Sequence, residues 1–232
     1  MLDAAKLGKY FEEINIKAIK TAFSAREKAV GKTVLIAGSL SHRFPIADGD
    51  EQSRPENKID DLKFKLSCEE LADYLTSNGC DLIILEMMYH PDRMETVMDA
   101  AQKTGLPMWA GFSTRRGQNG EILSIMSERD VLFEDILDLA LDYDFDAVGV
   151  MHTNVDEISD SLAILKPKFD LPLMVYPDSG GWASPNWGFD KIIKPEELLR
   201  RTEAWVKEGA QIIGGCCGLS PQHISAVSIL KK

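Results

Sequence analysis

Short apolar runs and longer amphipathic stretches alternate along this chain. The runs are TVLIAGSL from Thr33, DLIILEMM from Asp81, PMWAGFS from Pro107, DAVGVMH from Asp146, PLMVYPD from Pro172 and AQIIGGCC from Ala210. Each is nearly continuous in apolar residues, the pattern of a strand covered on both faces in a parallel sheet. Between them, CEELADYLTSNG carries Leu71, Ala72 and Leu75 at helical spacing, and VLFEDILDLALDYD carries Leu132, Ile136, Leu139 and Ala140. PEELLRRTEAWVKEGA opens with Pro195 at a first helical position. Asn78-Gly79, Gly105 and Gly209 each stand just before a strand, where a helix has to stop.

Strands alternating with helices predict βαβ units with right-handed crossovers, an α/β fold of the (β/α)8 TIM-barrel type. Six βα units are visible where a closed barrel has eight. A helical stretch from Ala4 to Val30 comes first, with no strand ahead of it. The expectation is a barrel lacking its first two strands, or an open sheet. No linker or low-complexity block divides the chain, so residues 1–232 read as a single, partial barrel domain. The segment HRFPIADGDEQSRPENK, from His42 to Lys58, reads as one long loop after the first strand.

The net charge of −11 excludes nucleic acid as the main partner, because phosphate binding needs a basic surface. No run approaches the roughly 18 apolar residues of a membrane span. The N-terminal MLDAAKLGKYFEEINIKAIK is charged throughout and lacks a signal-peptide core, so a cytoplasmic protein without membrane contact is expected. In that reducing setting Cys68, Cys80, Cys216 and Cys217 are expected as free thiols. Cys68, in a helical pattern, and Cys80, ahead of an apolar run, read as small core residues.

In parallel α/β folds the chemistry collects at the C-terminal ends of the strands. The residues at those ends are Ser39, Glu86, Ser113, His152, Asp178 and Cys216-Cys217. Two adjacent thiolates can bind one soft metal where a strand is ending, and the glycines of Ile212-Ile213-Gly214-Gly215-Cys216-Cys217-Gly218 permit the turn that this needs. His152, ending the strand two units earlier, is the candidate third ligand of a zinc ion, which takes such sulfur and nitrogen donors. The competing reading of the pair is two small buried residues. Glu86 follows four apolar residues on its strand, where a carboxylate needs a partner or a polar site, and substrate binding is favoured over a structural ion pair. Asp178 lies in the turn-forming Tyr176-Pro177-Asp178-Ser179-Gly180-Gly181, and a plain turn competes evenly with a site role. Trp182 and Trp187 follow, either lining a mouth or folding back into a core. His223 reads as a capping or surface residue beside Ser220 and Pro221 rather than a ligand, and His42 and His90 as loop residues without a nameable partner.

With these residues in place, IIGGCCGLSPQHI, from Ile212 to Ile224, resembles the C-terminal signature of the zinc-dependent homocysteine S-methyltransferases. Ala37-Gly38-Ser39, Leu85-Glu86 and Tyr176-Pro177-Asp178-Ser179-Gly180 resemble further family segments in the same order, with Asp178 where the family carries Asn. The resemblance runs from about Phe11 to the C-terminus. It implies a (β/α)8 barrel, a Zn2+ cofactor, and homocysteine and a methyl donor as small-molecule substrates. It also implies that Glu86 holds the substrate amino group; Ser39, Ser113 and Asp178, at neighbouring strand ends, are the further candidate substrate-binding residues. Gly149-Val150-Met151-His152 stands where the family's segment ends in a cysteine ligand, which makes His152, Cys216 and Cys217 the implied zinc set. One imidazole in place of a thiolate leaves the centre less negative, so tight thiol binding with modest turnover is expected. Two other readings stay open: a repurposed relative that only binds metal or thiol, and a methyltransferase for another thiol or a selenol. Exposed barrel edges favour a homo-oligomer.

Overall fold

The computed structural model describes residues 2, 6–42, 60–126, 129–183, 186–189 and 191–231, without the side chains of residues 182, 183, 186 and 187. Its first elements are α1 (Phe11–Lys28), β1 (Ala37–Leu40), α2 (Asp61–Ser77), β2 (Leu82–Met88) and α3 (Pro91–Gln102). Then come β3 (Met108–Phe112), β4 (Thr114–Arg116), β5 (Ile122–Ser124), α4 (Phe133–Asp138), β6 (Ala147–Asn154) and α5 (Ile158–Leu165). The chain closes with β7 (Leu173–Asp178), β8 (Gly181–Ala183), β9 (Asn186–Gly188), α6 (Pro195–Glu208), β10 (Ala210–Ile213) and α7 (Pro221–Val227).

All six apolar runs become strands of one sheet, ordered β1-β2-β3-β6-β7-β10. Every pairing in it is parallel. The sheet order follows the chain order without reversal, which is how strands succeed one another around a barrel and not how a doubly wound sheet is built. Among the described residues β1 pairs only with β2 and β10 only with β7, so the sheet is an open arc of six strands.

The two faces of the arc differ. Leu40, Ile83, Leu85, Phe112, Val150 and Val175 belong to the main core, packed under the helices. The opposite, concave face carries Ser39, Ile84 and Trp109 in one register row. Of these Ser39 is exposed, while Ile84 and Trp109 are half-buried. A closed barrel fills this space with layers of side chains from all its strands.

The helices stop just before Asn78-Gly79, Gly105 and Gly209 as the sequence predicts. Cys68 and Cys80 are buried in the core. Burial pushes the Cys68 thiol up to about 11 and the Cys80 thiol upward as well, so neither is a ready nucleophile. Three details differ from expectation. β1 starts at Ala37 rather than Thr33. Of the four residues expected on one helical face here, Ile136 and Ala140 are buried, but Leu132 and Leu139 are exposed and Phe133 and Leu137 are buried in their place. The antiparallel hairpins β4–β5 and β8–β9 have no counterpart in the apolar pattern, since three-residue strands carry too little periodicity to read. The side chains of Trp182 and Trp187 and all of the expected loop beyond His42 lie outside the described residues. Among the described residues, no helix is long and apolar enough to cross a membrane.

At Gly149 the backbones of β6 and β7 leave no room for a side chain. A Cβ on Gly149 would lie 1.9 Å from the Met174 carbonyl oxygen. Gly149→Ala should therefore force these strands apart and destabilise the fold by about 3 kcal/mol or more. Urea unfolding followed by circular dichroism checks this, and a midpoint equal to that of the unaltered chain would contradict it.

Candidate metal centre

His152, Cys216 and Cys217 converge at the C-terminal ends of β6 and β10. One ligand atom from each lies within 4.8 Å of the others. The route to this cluster begins in the backbone. Past Ile213 the chain keeps pairing with β7 and the turn after it: Gly214 N–H donates to Val175 O (2.9 Å), Cys216 N–H to Pro177 O (2.8 Å) and Ser179 N–H to Cys217 O (3.0 Å). The chain then turns, with Leu219 N–H donating to Cys216 O (3.2 Å) and Gly218 at φ +78°. A positive φ at the third position of a four-residue turn calls for glycine. A Cβ on Gly218 would also lie 1.7 Å from Ser179 O. Because the strand ends in this turn, neighbouring thiols no longer point to opposite faces. Their sulfurs are 3.7 Å apart.

His152 arrives by a different device. The register of β6 against β7 shifts between Met151 and Asn154, and His152 within that bulge has φ +44°. Bulges of this kind re-aim side chains at strand ends. The imidazole Nδ1 lies 3.5 Å from Cys216 Sγ and 3.6 Å from Asp178 Oδ2. The spacings of Cys216 Sγ to His152 Nδ1 and to Cys217 Sγ suit zinc, and the third pair of donors lies within 4.8 Å. Two sulfur ligands about 2.3 Å from a tetrahedral ion stand about 3.8 Å apart, and a sulfur and a nitrogen ligand about 3.5 Å apart.

Burial, reinforced by Cys217, pushes the Cys216 thiol up to about 12. Without a cation Cys216 holds its proton, so metal binding must expel it and affinity rises with pH. Burial and then Glu157 push the Asp178 carboxyl up to about 6, despite the imidazole beside it. The Tyr176 phenol is pushed up by burial, then by Cys216, Glu86 and Cys217, which marks these groups as neighbours across the concave face.

The other expected site residues sit as follows. Glu86 is half-buried on β2, next to a second bulge where Met87 has φ +58°. Met87 N–H donates to Met151 Sδ (3.1 Å), and that thioether fills the space over Gly111, 2.5 Å from where a Cβ would stand. Ser39 is exposed on the edge strand. Ser113 is buried, its hydroxyl donating to Met151 O (2.9 Å). His223 caps α7, accepting at Nδ1 from Ser220 N–H (3.0 Å) and reaching Ile193 O through Nε2 (2.7 Å). It is a capping residue as expected, but buried rather than superficial. Sequence reasoning missed that His42 joins two strand ends: its Nε2 accepts from Tyr89 N–H (3.0 Å) and His90 N–H (3.2 Å). No local sequence signal marks that contact.

The sequence matches the family described as Homocysteine S-methyltransferase over residues 2–229. The chain belongs to the homocysteine S-methyltransferase family. Among curated relatives, it is 27% identical over 209 residues to a selenocysteine methyltransferase of Astragalus bisulcatus, covering 84% of this chain and 58% of that one. It is 25% identical over 233 residues to homocysteine S-methyltransferase 2 of Zea mays, covering 93% of this chain and 67% of the relative. The chain thus spans about three-fifths to two-thirds of the length of these two relatives. The metallated form of the homocysteine methyltransferase MmuM from Escherichia coli has the same fold, with a TM-score of 0.71 at 20% identity, over 99% of this chain and 75% of that one.

The raised Asp178 carboxyl has a consequence for stability. An acid whose folded value exceeds its unfolded value destabilises the fold above the folded value, and the penalty fades as pH falls towards the unfolded one. Asp178→Asn should stabilise the metal-free chain by about 1–3 kcal/mol at pH 8, with the gain vanishing between pH 6 and pH 4. Urea titrations across that range check it, and a pH-independent difference would contradict it.

Proposed function

We propose that this chain carries the zinc-dependent centre of a methyltransferase that moves a methyl group onto the thiol of homocysteine, giving methionine. The observation that supports it best is the His152, Cys216 and Cys217 donor set, with spacings that suit a tetrahedral ion at the end of a barrel-type sheet. A zinc ion held by these three residues would lower the pKa of the acceptor thiol, so that the thiol reacts as its thiolate at neutral pH.

The remaining roles fall to the chain's own side chains. Glu86, half-buried at the end of β2, offers its carboxylate to the acceptor's ammonium group. Ser39 and Asp178 border the same concave face, and Ser113 lies beneath it. The acceptor sulfur forms a bond to the methyl carbon as the donor's sulfonium or ammonium bond breaks, and the bonding pair leaves with the neutralised donor. The acceptor proton passes to solvent. Cys216 and Cys217 are free thiols, available as ligands.

A second acceptor class has an observation in its favour. Relatives from Astragalus bisulcatus and from Brassica oleracea are a selenocysteine methyltransferase and a selenocysteine Se-methyltransferase. A selenol acceptor would use the same donor set.

The test is zinc analysis joined to methyl-transfer assays with several sulfonium and ammonium donors, on the unaltered chain and on Cys217→Ser. Stoichiometric zinc and methionine formation are expected in the first, with both lost in the second. Equal zinc content and activity in the two proteins would remove the centre from the reaction. Methylation of selenocysteine in preference to homocysteine would select the second acceptor class.

A further inference from the structure

The left-handed conformation of His152 needs a physical cause. A non-glycine residue at positive φ costs about 1 kcal/mol or more and persists only when its surroundings fix it. Regular strand pairing does not fix it here, because the β6–β7 register breaks at this point. What surrounds the bulge instead is a buried cluster of hydroxyl groups. Ser113 Oγ donates to Met151 O at 2.9 Å, and Thr153 Oγ1 donates to the same oxygen at 3.0 Å. The second bond spans His152 from i+1 to i−1, a local side-chain-to-backbone link of the kind that stabilises a bend.

Thr153 is itself held. Its Oγ1 accepts from Thr114 N–H at 2.9 Å. Thr114 Oγ1 lies 2.8 Å from Ser161 Oγ, and Ser161 Oγ donates to Glu157 O at 2.9 Å. Ser161 has no second proton to give, so Thr114 is the donor in that pair. Thr114 Oγ1 also lies 3.4 Å from Thr153 Oγ1, a longer contact than the 2.8 Å to Ser161, so the hydroxyls form one network from the β3–β4 junction to α5. Ser113, Thr114, Thr153 and Ser161 are all buried, at 1%, 1%, 1% and 0% exposure, where such bonds are stronger than in water.

We infer that Ser113 and Thr153 are positioning residues for the metal centre: their hydroxyls converge on the Met151 carbonyl and clamp His152 in the conformation that brings Nδ1 to Cys216. Ser113 thereby acts through His152 instead of touching substrate. The inference rests on the reading of His152 as a metal ligand. It extends that reading from the donor atoms to the β3–β4 junction and α5, which supply none of them.

Cobalt(II) tests it without an assay of turnover, because thiolate-to-cobalt charge transfer reports the sulfurs and the d–d bands report geometry. Affinity and spectra would be measured for the unaltered chain, Ser113→Ala, Thr153→Val, Thr153→Ser and Cys217→Ser, with folding followed by circular dichroism. Ser113→Ala and Thr153→Val should weaken cobalt binding by about tenfold or more and alter the d–d bands. Thr153→Ser, which keeps the hydroxyl, should restore both. Folded Ser113→Ala and Thr153→Val proteins with unaltered affinity and spectrum would overturn the clamp. If Thr153→Val does not fold, Ser113→Ala decides, since Thr153 still serves the carbonyl in that variant. Failure of the metal reading shows separately: the unaltered chain would bind no cobalt, or bind it no better than Cys217→Ser, and the clamp would fall with it.

Discussion

The candidate centre depends on the backbone pairing that carries the chain from Ile213 to Cys217 alongside Val175–Ser179. Three hydrogen bonds, from Gly214 to Val175, Cys216 to Pro177 and Ser179 to Cys217, extend the sheet beyond the last regular residue of β10. They hold the two cysteines against the end of β7 until the turn at Gly218. A regular strand would send adjacent side chains to opposite faces. Ending the strand within a fixed frame is what gives neighbouring thiols a common target. On the other side of the cluster β6 achieves the equivalent result with a bulge at His152. The site is therefore built from two departures from regular sheet, each anchored by the regular sheet beneath it.

Glu86 connects to the same frame. The bulge that ends β2 at Met87 is tied to β6 through the Met151 thioether, which crosses above Gly111. Met151 thus touches both devices: its side chain meets the backbone beside Glu86, and its carbonyl takes the hydroxyls that flank His152. One residue therefore links the backbone beside the Glu86 carboxylate to the backbone that carries the His152 imidazole.

Much of this was legible in the sequence. Six apolar runs gave the six sheet strands, because strands covered on both faces must be apolar throughout. Their C-terminal ends pointed to His152, Cys216 and Cys217, because parallel sheets place their chemistry there. What could not be read depends on contacts between distant segments. The positive φ of His152 follows from Ser113, Thr153 and the register of β7, and no local propensity of Met-His-Thr encodes it. Around α4 the spacing picks out Ile136 and Ala140, which are buried, but not Phe133 and Leu137, because only packing decides between them and the exposed Leu132 and Leu139. The hairpins after β3 and β7 are too short for periodicity. Ser113 read as a substrate contact from its place at a strand end, yet its hydroxyl turns inward to a carbonyl.

The histidine in the candidate donor set ties these observations together, because His152 stands where the family segment that Gly149-Val150-Met151-His152 resembles ends in cysteine. The measurement that bears on it most directly is zinc K-edge X-ray absorption of the purified protein without added thiol. A ligand shell with two sulfurs at about 2.3 Å and a nitrogen at about 2.0 Å is expected, with the imidazole scattering lost in His152→Ala. A shell of three sulfurs, or one of oxygen and nitrogen alone, would contradict the account.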